Sequence, residues 1–560
     1  MSWKRRDGCK TIEEVILRNT GYKNINLFLQ GSKKVYNIKY LKEAAEMIKR
    51  AIAEGKKITI VGDYDADGIT ASASLAFALK SLGANVHVRL PKRLSEGFGL
   101  STKIVDEIDS GLVITVDNGI VAFEAIELAK SKGLDVIVTD HHALDKSGEV
   151  PNADIVIDPH IEGTADFADY CGAGIAYKLA KELVSDETVI KKISCFAAIG
   201  TICDVVPLVE ENRLIVLEGL SNMMKYGCRT SGLYSLLRAT ELDKKITEEN
   251  VGFKLGPTIN AAGRLYDDGA MIVYEAIVQD GRFDEELGKK LVEFNEERKR
   301  LVAEGMEKLL LNMQTNCLFG DYPLVIYEPG LPEGIVGILA GRFAEEKGIP
   351  TFVFTDSEDP SIYKGSARSA GGVHLKDLLD TVSDSLFKYG GHAEAAGVSV
   401  EATKFYDMMS GLQENIPEME KVDTSTVYYD LEISTSEIDA TLKELEKYAP
   451  FGEGNPRIVF RISDFELSPR YSSFYKTMGN ENQHIKLLGN NMEAVGFDMT
   501  QKYIDIKEPK RLNLIGTLGE NMYMGKTSVQ ITMDDFENAG TVGKTRLAML
   551  LEAKSKSRYS

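Results

Sequence analysis

The sequence predicts an α/β fold. A parallel, doubly wound sheet comes first, a second and smaller α/β block is joined to it by a long helix, and a small β-barrel or sandwich follows. Three observations predict this. Between about residues 58 and 160, short Val/Ile runs alternate with helical stretches, the pattern of a parallel sheet covered on both faces. Residues 283–313 form one amphipathic pattern with no breaker, long enough to bridge two domains. Beyond residue 425 the apolar runs shorten and turn signals crowd between them.

The elements follow in order. "ITIV" is a strand and "ITASASLAFALKSLG" a helix; "NVHVRL" is a strand and "STKIVDEIDSG" a helix. "LVITV" is a strand, "VAFEAIELAKSKG" a helix closed by glycine, and "DVIVT" and "ADIVI" are strands. Residues 172–226 read as mainly helical. The second block runs from "YPLVIYE" to "GVSV", and "RIVFRISDFEL", "HIKLLG", "MEAVGFD", "LNLIGTLGE" and "SVQITMDDF" supply the short strands of the third.

Composition narrows the class. The chain has 560 residues, which suggests about three to four domains. A net charge of -19 excludes a protein coated in positive charge, but not one basic groove. Cys9, Cys171, Cys195, Cys203, Cys228 and Cys317 contain no CxxC pair, which suits a reduced compartment and neither a disulfide framework nor a zinc ribbon. The basic N-terminus lacks the apolar core of a signal peptide, and no run nears the ~18 apolar residues of a membrane span. A cytoplasmic protein is expected.

Carboxylates gather at the strand ends. Asp63, Asp65 and Asp67 follow the first strand, Asp117 the third, Asp140 with His141 and His142 the fourth, and Asp158 the last. In an open α/β sheet, ligands bind outside the carboxyl ends of the strands, so these groups should converge on one edge. A lone "DNG" is usually a turn, and a lone "DHH" surface or cap chemistry. "DYDADG" is no EF-hand, because no glutamate closes the twelve-residue loop. It is the joint placement that points to a site. Clustered carboxylates repel unless a cation sits among them. Carboxylates with imidazole and no thiolate suit Mn2+ or Mg2+, and two such ions sharing a carboxylate would support phosphodiester hydrolysis.

At these residues the chain resembles the DHH phosphoesterase superfamily: "DYDADG", "DNG" and "DHH" match its first three motifs in order, and "GTICDVVPL" its fourth. Within it, the chain is similar to the RecJ family of bacterial single-strand exonucleases along nearly its whole length. "PKRLSEGFGL", "LGPTINAAGR", "GSARSAGGVHL", "GGHAEAAG" and "APFGEGNPRIVF" carry that likeness. The resemblance implies an N-terminal extension (1–45), a DHH domain (46–282), a connecting helix (283–313) and a DHH-associated domain (314–420). An OB-like nucleic-acid-binding barrel (421–540) and a basic tail (541–560) complete the division.

It also implies roles. Asp65, Asp67, Asp117, His141 and Asp204 match metal ligands, with Asp117 as the bridge and Asp63 and Asp140 behind them. His142 matches a histidine beside the scissile phosphate, and His392 a phosphate contact. Arg264 and Arg368 resemble residues that hold the substrate backbone. Ser366 and Arg368, with Lys92 or Arg93 opposite, resemble the pocket for the terminal 5′ phosphate. In the barrel, Tyr471, Phe474 and Tyr475 are candidate stacking residues, whereas Phe497 is expected in the core. Ten Lys/Arg against eight Asp/Glu between residues 456 and 530 allow a mildly basic groove there.

The implied activity is 5′-to-3′ exonuclease action on single-stranded DNA with two Mn2+ ions (or Mg2+), in recombination and repair. A monomer is expected, with a single-strand-binding protein and a helicase as partners. The alternative enzyme is a phosphodiesterase of short oligonucleotides or cyclic dinucleotides; the alternative without catalysis is a binding scaffold.

Overall fold

The computed structural model describes residues 2–6, 8–30, 36–144, 147–315, 322–418, 426–470, 473–479, 481–523 and 526–540. Tyr471, Cys317 and the basic tail of 541–560 lie outside the described residues. The chain forms two compact units, residues 34–422 and residues 1–33 with 423–560.

The larger unit is built on a five-stranded parallel sheet. Its order is Asn85–Arg89, Lys57–Val61, Leu112–Val116, Asp135–Thr139, Ile155–Ile157. The central strand Leu112–Val116 is buried along its whole length, as a Val/Ile run covered on both faces must be. The helix Ala66–Ser81 starts where Asp65 accepts hydrogen bonds from the N–H groups of Asp67 and Gly68. Its Ala/Ser composition lets it lie buried on nearly every side, against the helices Gly172–Leu183 and Glu187–Cys203. More helices follow to Val278, among them Gly256–Leu265.

The long helix spans Glu285–Thr315, close to its expected bounds. The block after it holds a mixed sheet ordered Lys388–Gly391, Ala395–Glu401, Ile362–Arg368, Thr351–Asp356, Leu324–Tyr327, with the helix Glu333–Lys347 packed on it. Among the described residues, no helix is long and apolar enough to cross a membrane. Cys9, Cys171, Cys195, Cys203 and Cys228 are free thiols.

The smaller unit contains a seven-stranded sheet ordered Leu431–Ser434, Val459–Glu466, Arg511–Tyr523, Lys526–Asn538, Met492–Gly496, His484–Leu488, Tyr475–Met478. Leu431 from one outer strand and Tyr475 from the other pack on the same core as Phe460 and Phe465, so the sheet curls around one interior. Phe474 and Tyr475 also pack on that core rather than standing free. Phe497 departs from its expected burial: it is 58% exposed and sits edge-on to His484. It lies just past the strand Met492–Gly496, where the chain turns through Asp498, whose φ is 54°.

Residues 1–33 pack into this unit. The strand Ser2–Arg5 pairs in parallel with Thr426–Tyr429. The buried Asp430 carboxylate takes Arg6 at 3.1 Å and Arg18 at 2.6 Å. Trp3, the only tryptophan of the chain, donates to Asp535 at 2.7 Å. Asp430→Ala is expected to destabilise this unit by about 2 kcal/mol, the cost of losing charge-assisted bonds to half-exposed arginines. A urea titration followed by Trp3 emission should show the earlier midpoint, and the transition of the tryptophan-free unit, followed by far-UV circular dichroism, should be unchanged.

Candidate active site

The acidic strand ends converge as expected. Asp67 lies at the start of the helix Gly172–Leu183, where the N–H groups of Gly172 (2.6 Å) and Ala173 (2.9 Å) donate to its two oxygens. Asp117 adopts a left-handed backbone with φ of 62°, a conformation uncommon outside glycine and concentrated at functional positions. Its neighbour Asn118 donates to Val61 and Val116 and accepts from Leu100, binding two strand ends and a loop together. Asp140 accepts from Ile120, from both histidine N–H groups and from Nδ1 of His142 at 2.7 Å.

His141 is the hub of the cluster. Its Nε2 lies 3.0 Å from Asp117, 3.7 Å from Asp204 and 3.8 Å from Asp67. Three overlapping sets have ligand atoms within 4.8 Å of one another: Asp117, His141 and His142; Asp67, His141 and Asp204; Asp63, Asp65 and Asp117. Asp117 and His141 each serve two sets. Asp158 belongs to none of them; it is buried and accepts the backbone N–H of His160.

The electrostatics call for a cation. Burial first, and then the neighbouring carboxylates, push Asp117, Asp204 and Asp67 above the usual range. Asp63 is raised by burial and Asp65, and one of its oxygens is buried without a hydrogen-bond partner. Burial, with His142 beside it, lowers His141 and keeps it neutral, as a ligand must be. Burial would also lower His142, but the bond to Asp140 outweighs it and lifts the group to about 9. The donor set of carboxylates and neutral imidazole fits a hard or borderline divalent ion.

Glycines make room for this packing. A methyl group on Gly172 would lie 2.4 Å from Cβ of Asp117 and 2.8 Å from its Cα. Gly172→Ala is therefore expected to weaken Mn2+ binding by about 10- to 100-fold, the scale seen when the support of a ligand is disturbed. Calorimetric titration of Mn2+ checks this.

Beside the carboxylates lies a set of cations. The Arg93 guanidinium covers the Tyr64 ring at 4.5 Å. Tyr64 meets Phe98, Phe98 meets His142 edge-on, and His142 stacks at 6.2 Å on His392 from the second block. Arg368 donates to Oγ of Ser366 at 3.3 Å and to its neighbouring carbonyl. Arg264 is pushed down to about 9, by burial and then by Arg93, Arg298 and Arg368. Among the described residues, none of these four arginines forms an ion pair with a carboxylate. Such an unpartnered group of guanidinium ions suits an anion. Lys92 does not share this position: it pairs with Asp268 at 3.2 Å, and Arg93 is the one that faces Arg264 and Arg368. Arg298 was not singled out from sequence, because an arginine on a long charged helix reads as part of a solvated face.

Comparison with known proteins gives consistent matches. Residues 57–201 match the model of the DHH family N-terminal domain, 320–418 that of the DHHA1 domain and 429–535 that of the RecJ OB domain. The single-stranded-DNA-specific exonuclease RecJ of Escherichia coli is 32% identical over 536 residues, covering 88% of this chain and 90% of that one. The Bacillus subtilis protein of the same name is 32% identical over 514 residues; the alignment covers 89% of this chain but only 64% of that longer relative. The crystal structure of Thermus thermophilus RecJ in complex with Mn2+ superposes with a TM-score of 0.75 at 26% identity, over 94% of this chain and 75% of that one.

Proposed function

The chain belongs to the RecJ family of single-stranded-DNA-specific exonucleases, and from that premise we propose that it removes mononucleotides from the 5′ end of single-stranded DNA. One observation carries this reading: a cation-demanding carboxylate cluster and an anion-demanding arginine cluster stand side by side in one unit, bridged by the contact of His142 with His392. A terminal phosphate held in the second would present the next phosphodiester to the first.

Asp65, Asp67, Asp117, His141 and Asp204 would hold two Mn2+ or Mg2+ ions, with Asp117 common to both. When bound, such ions polarise the scissile phosphoryl group and activate water. The chain supplies the rest. Asp140 holds the His142 imidazole through Nδ1 and the backbone of both histidines and of Ile120 through three N–H bonds. His142, held charged at neutral pH, keeps Nδ1–H on Asp140 and has Nε2–H to donate to a phosphoryl oxygen. Arg264 offsets the negative charge building there, and His392, pushed below its ordinary range by burial and then by His142, contributes a hydrogen bond. Ser366, Arg368 and Arg93 take the 5′ phosphate and so set register and polarity. Asp63 supports the ligand shell. In the barrel unit, the exposed Phe497 offers a stacking face for a single strand. Recombination and repair are the proposed setting. The chain would act as a cytoplasmic monomer, with a single-strand-binding protein and a helicase as partners.

The test uses a single strand of about forty nucleotides, longer than one OB-fold site, labelled at the 5′ end in one tube and the 3′ end in another, with Mn2+. The 5′ label should appear at once as mononucleotide while the 3′ label shortens through a ladder. Long strands left intact while dinucleotides are cut would favour the short-substrate phosphodiesterase, and no cleavage at all would favour a scaffold.

A further inference from the structure

Arg93 sits in the loop of residues 91–99, after the strand Asn85–Arg89. Its guanidinium lies over the Tyr64 ring at 4.5 Å, is attracted by Asp63 without forming an ion pair among the described residues, and faces the like charges of Arg264 and Arg368. The backbone that carries it is held separately. On one side, the Glu96 carboxylate accepts the backbone N–H of Lys92 at 2.9 Å and Arg89 at 2.6 Å. On the other, Asp267 takes three hydrogen bonds. Its Oδ1 accepts the N–H of Leu94 (3.1 Å) and of Ser95 (3.2 Å), and its Oδ2 accepts the Ser95 hydroxyl at 2.6 Å. Arg93 is therefore flanked by two carboxylate clamps on the backbone.

The position of Asp267 adds to this. It follows the helix Gly256–Leu265 by two residues, and that helix carries Arg264. One short segment thus supplies a guanidinium to the pocket and the clamp for the loop that brings in a second. Lys364 of the second block, two residues before Ser366, reaches the Leu94 carbonyl at 3.5 Å, so the same loop is touched from the Ser366–Arg368 strand as well. The neighbouring Asp268 does something else: it pairs with Lys92 at the surface.

We infer that Asp267 is a positioning residue for recognition of the terminal phosphate, holding the 91–99 loop so that Arg93 stays beside Arg264 and Arg368 against their repulsion. This rests on reading the arginine cluster as the seat of the 5′ phosphate. Asp267 touches neither the reacting phosphate nor the metal ligands, so its removal acts on end recognition and leaves the chemistry intact. The groups it releases, Leu94 and Ser95, lie near the surface and can turn to water, so the fold survives while the loop relaxes outward.

The experiment compares kcat/KM on two otherwise identical single strands, one with a 5′ phosphate and one with a 5′ hydroxyl, in the full-length protein with Mn2+. Wild type should prefer the phosphorylated strand. Asp267→Ala, and Asp267→Ser whose hydroxyl ends short of the loop, should lose about tenfold of that preference, the scale of one net charge-assisted hydrogen bond. The loss should lie in KM for the phosphorylated strand, with kcat and the rate on the hydroxyl strand unchanged. Asp267→Asn, which keeps an oxygen for the two N–H groups, should restore most of it, and Asp268→Ala should keep all of it. If the variants retain the wild-type preference, or if both substrates slow in parallel, Asp267 is not a positioning residue and the inference fails. If wild type itself ignores the terminal phosphate, the arginine pocket is misread, and that failure is distinct from the first.

Discussion

Asp117→Asn should abolish hydrolysis of single-stranded DNA, lowering kcat by about a thousandfold or more, while the strand still binds. Asparagine is the informative replacement because it tolerates the left-handed backbone at φ of 62°, where alanine would add strain. The substitution therefore removes charge and leaves shape. Asp117 serves two of the three ligand sets, so its loss weakens both cation positions at once. The several kcal/mol that bound divalent ions contribute to a phosphoryl transition state correspond to about three powers of ten or more in rate. Binding of the strand should persist because the arginines are untouched. A second, opposite effect comes with the first. In chelator, Asp117 stands buried among Asp67, Asp65 and Asp204, which already push its proton affinity up. Replacing the carboxyl by an amide relieves that cost, so the metal-free variant should melt higher than metal-free wild type. Adding Mn2+ should then stabilise wild type strongly and the variant little. Activity assays with melting curves in chelator and in Mn2+ check both halves. A variant that stays active, or that melts lower than wild type in chelator, would remove Asp117 from the centre of the site.

The parallel sheet and its acidic edge were legible because both are local signals. A Val/Ile run followed by aspartate places the side chain at a strand's carboxyl end; three strands did this at once and a fourth after one glycine. Asp158 follows the same rule and yet joins no ligand set, because its carboxylate turns to the backbone of His160. What could not be read depends on partners far away in sequence. Residues 1–33 join the barrel unit through Arg6 and Arg18 on Asp430, more than 400 residues later, and no periodicity announces that pairing. The choice between Lys92 and Arg93 was open for the same reason: Asp268 claims the lysine, and Asp268 reads only as part of a turn. Phe497 shows the limit of hydropathy. An apolar residue after a strand reads as core, but this one lies where the chain turns and is exposed. Resemblance to the family supplied His392 and Asp204, which no local pattern marks as part of the site.

Arg368→Met should make the protein more stable and less able to use its substrate. Arg368 is half-buried, its guanidinium anchored on Ser366 and the Ala367 carbonyl, and among the described residues no carboxylate pairs with it. Burial and then Arg93 press its proton affinity down, so in the absence of an anion the charge costs stability. Methionine fills a similar volume without charge, and replacing a buried cation this way should gain about 1 kcal/mol. The same charge is what a terminal phosphate needs. Losing a bidentate, charge-assisted contact should lower kcat/KM on 5′-phosphorylated strands by about a hundredfold, roughly 3 kcal/mol. Gly337 supports this geometry, since a methyl group there would lie 3.1 Å from the Arg368 guanidinium and 2.9 Å from Oγ of Ser366, leaving the pocket no slack for a shifted side chain. Ligand linkage separates the two effects. A 5′-mononucleotide at about 100 times its Kd should stabilise wild type by about 2.7 kcal/mol, and the variant far less. The two melting curves should therefore cross: Arg368→Met melts higher alone, and wild type melts higher with the nucleotide. If the variant melts lower under both conditions, Arg368 is a structural ion and the unpartnered cluster is not an anion site. If the curves cross, the cluster holds its repulsion in reserve for a phosphate, and the stability surrendered in the empty state is recovered when the 5′ end docks.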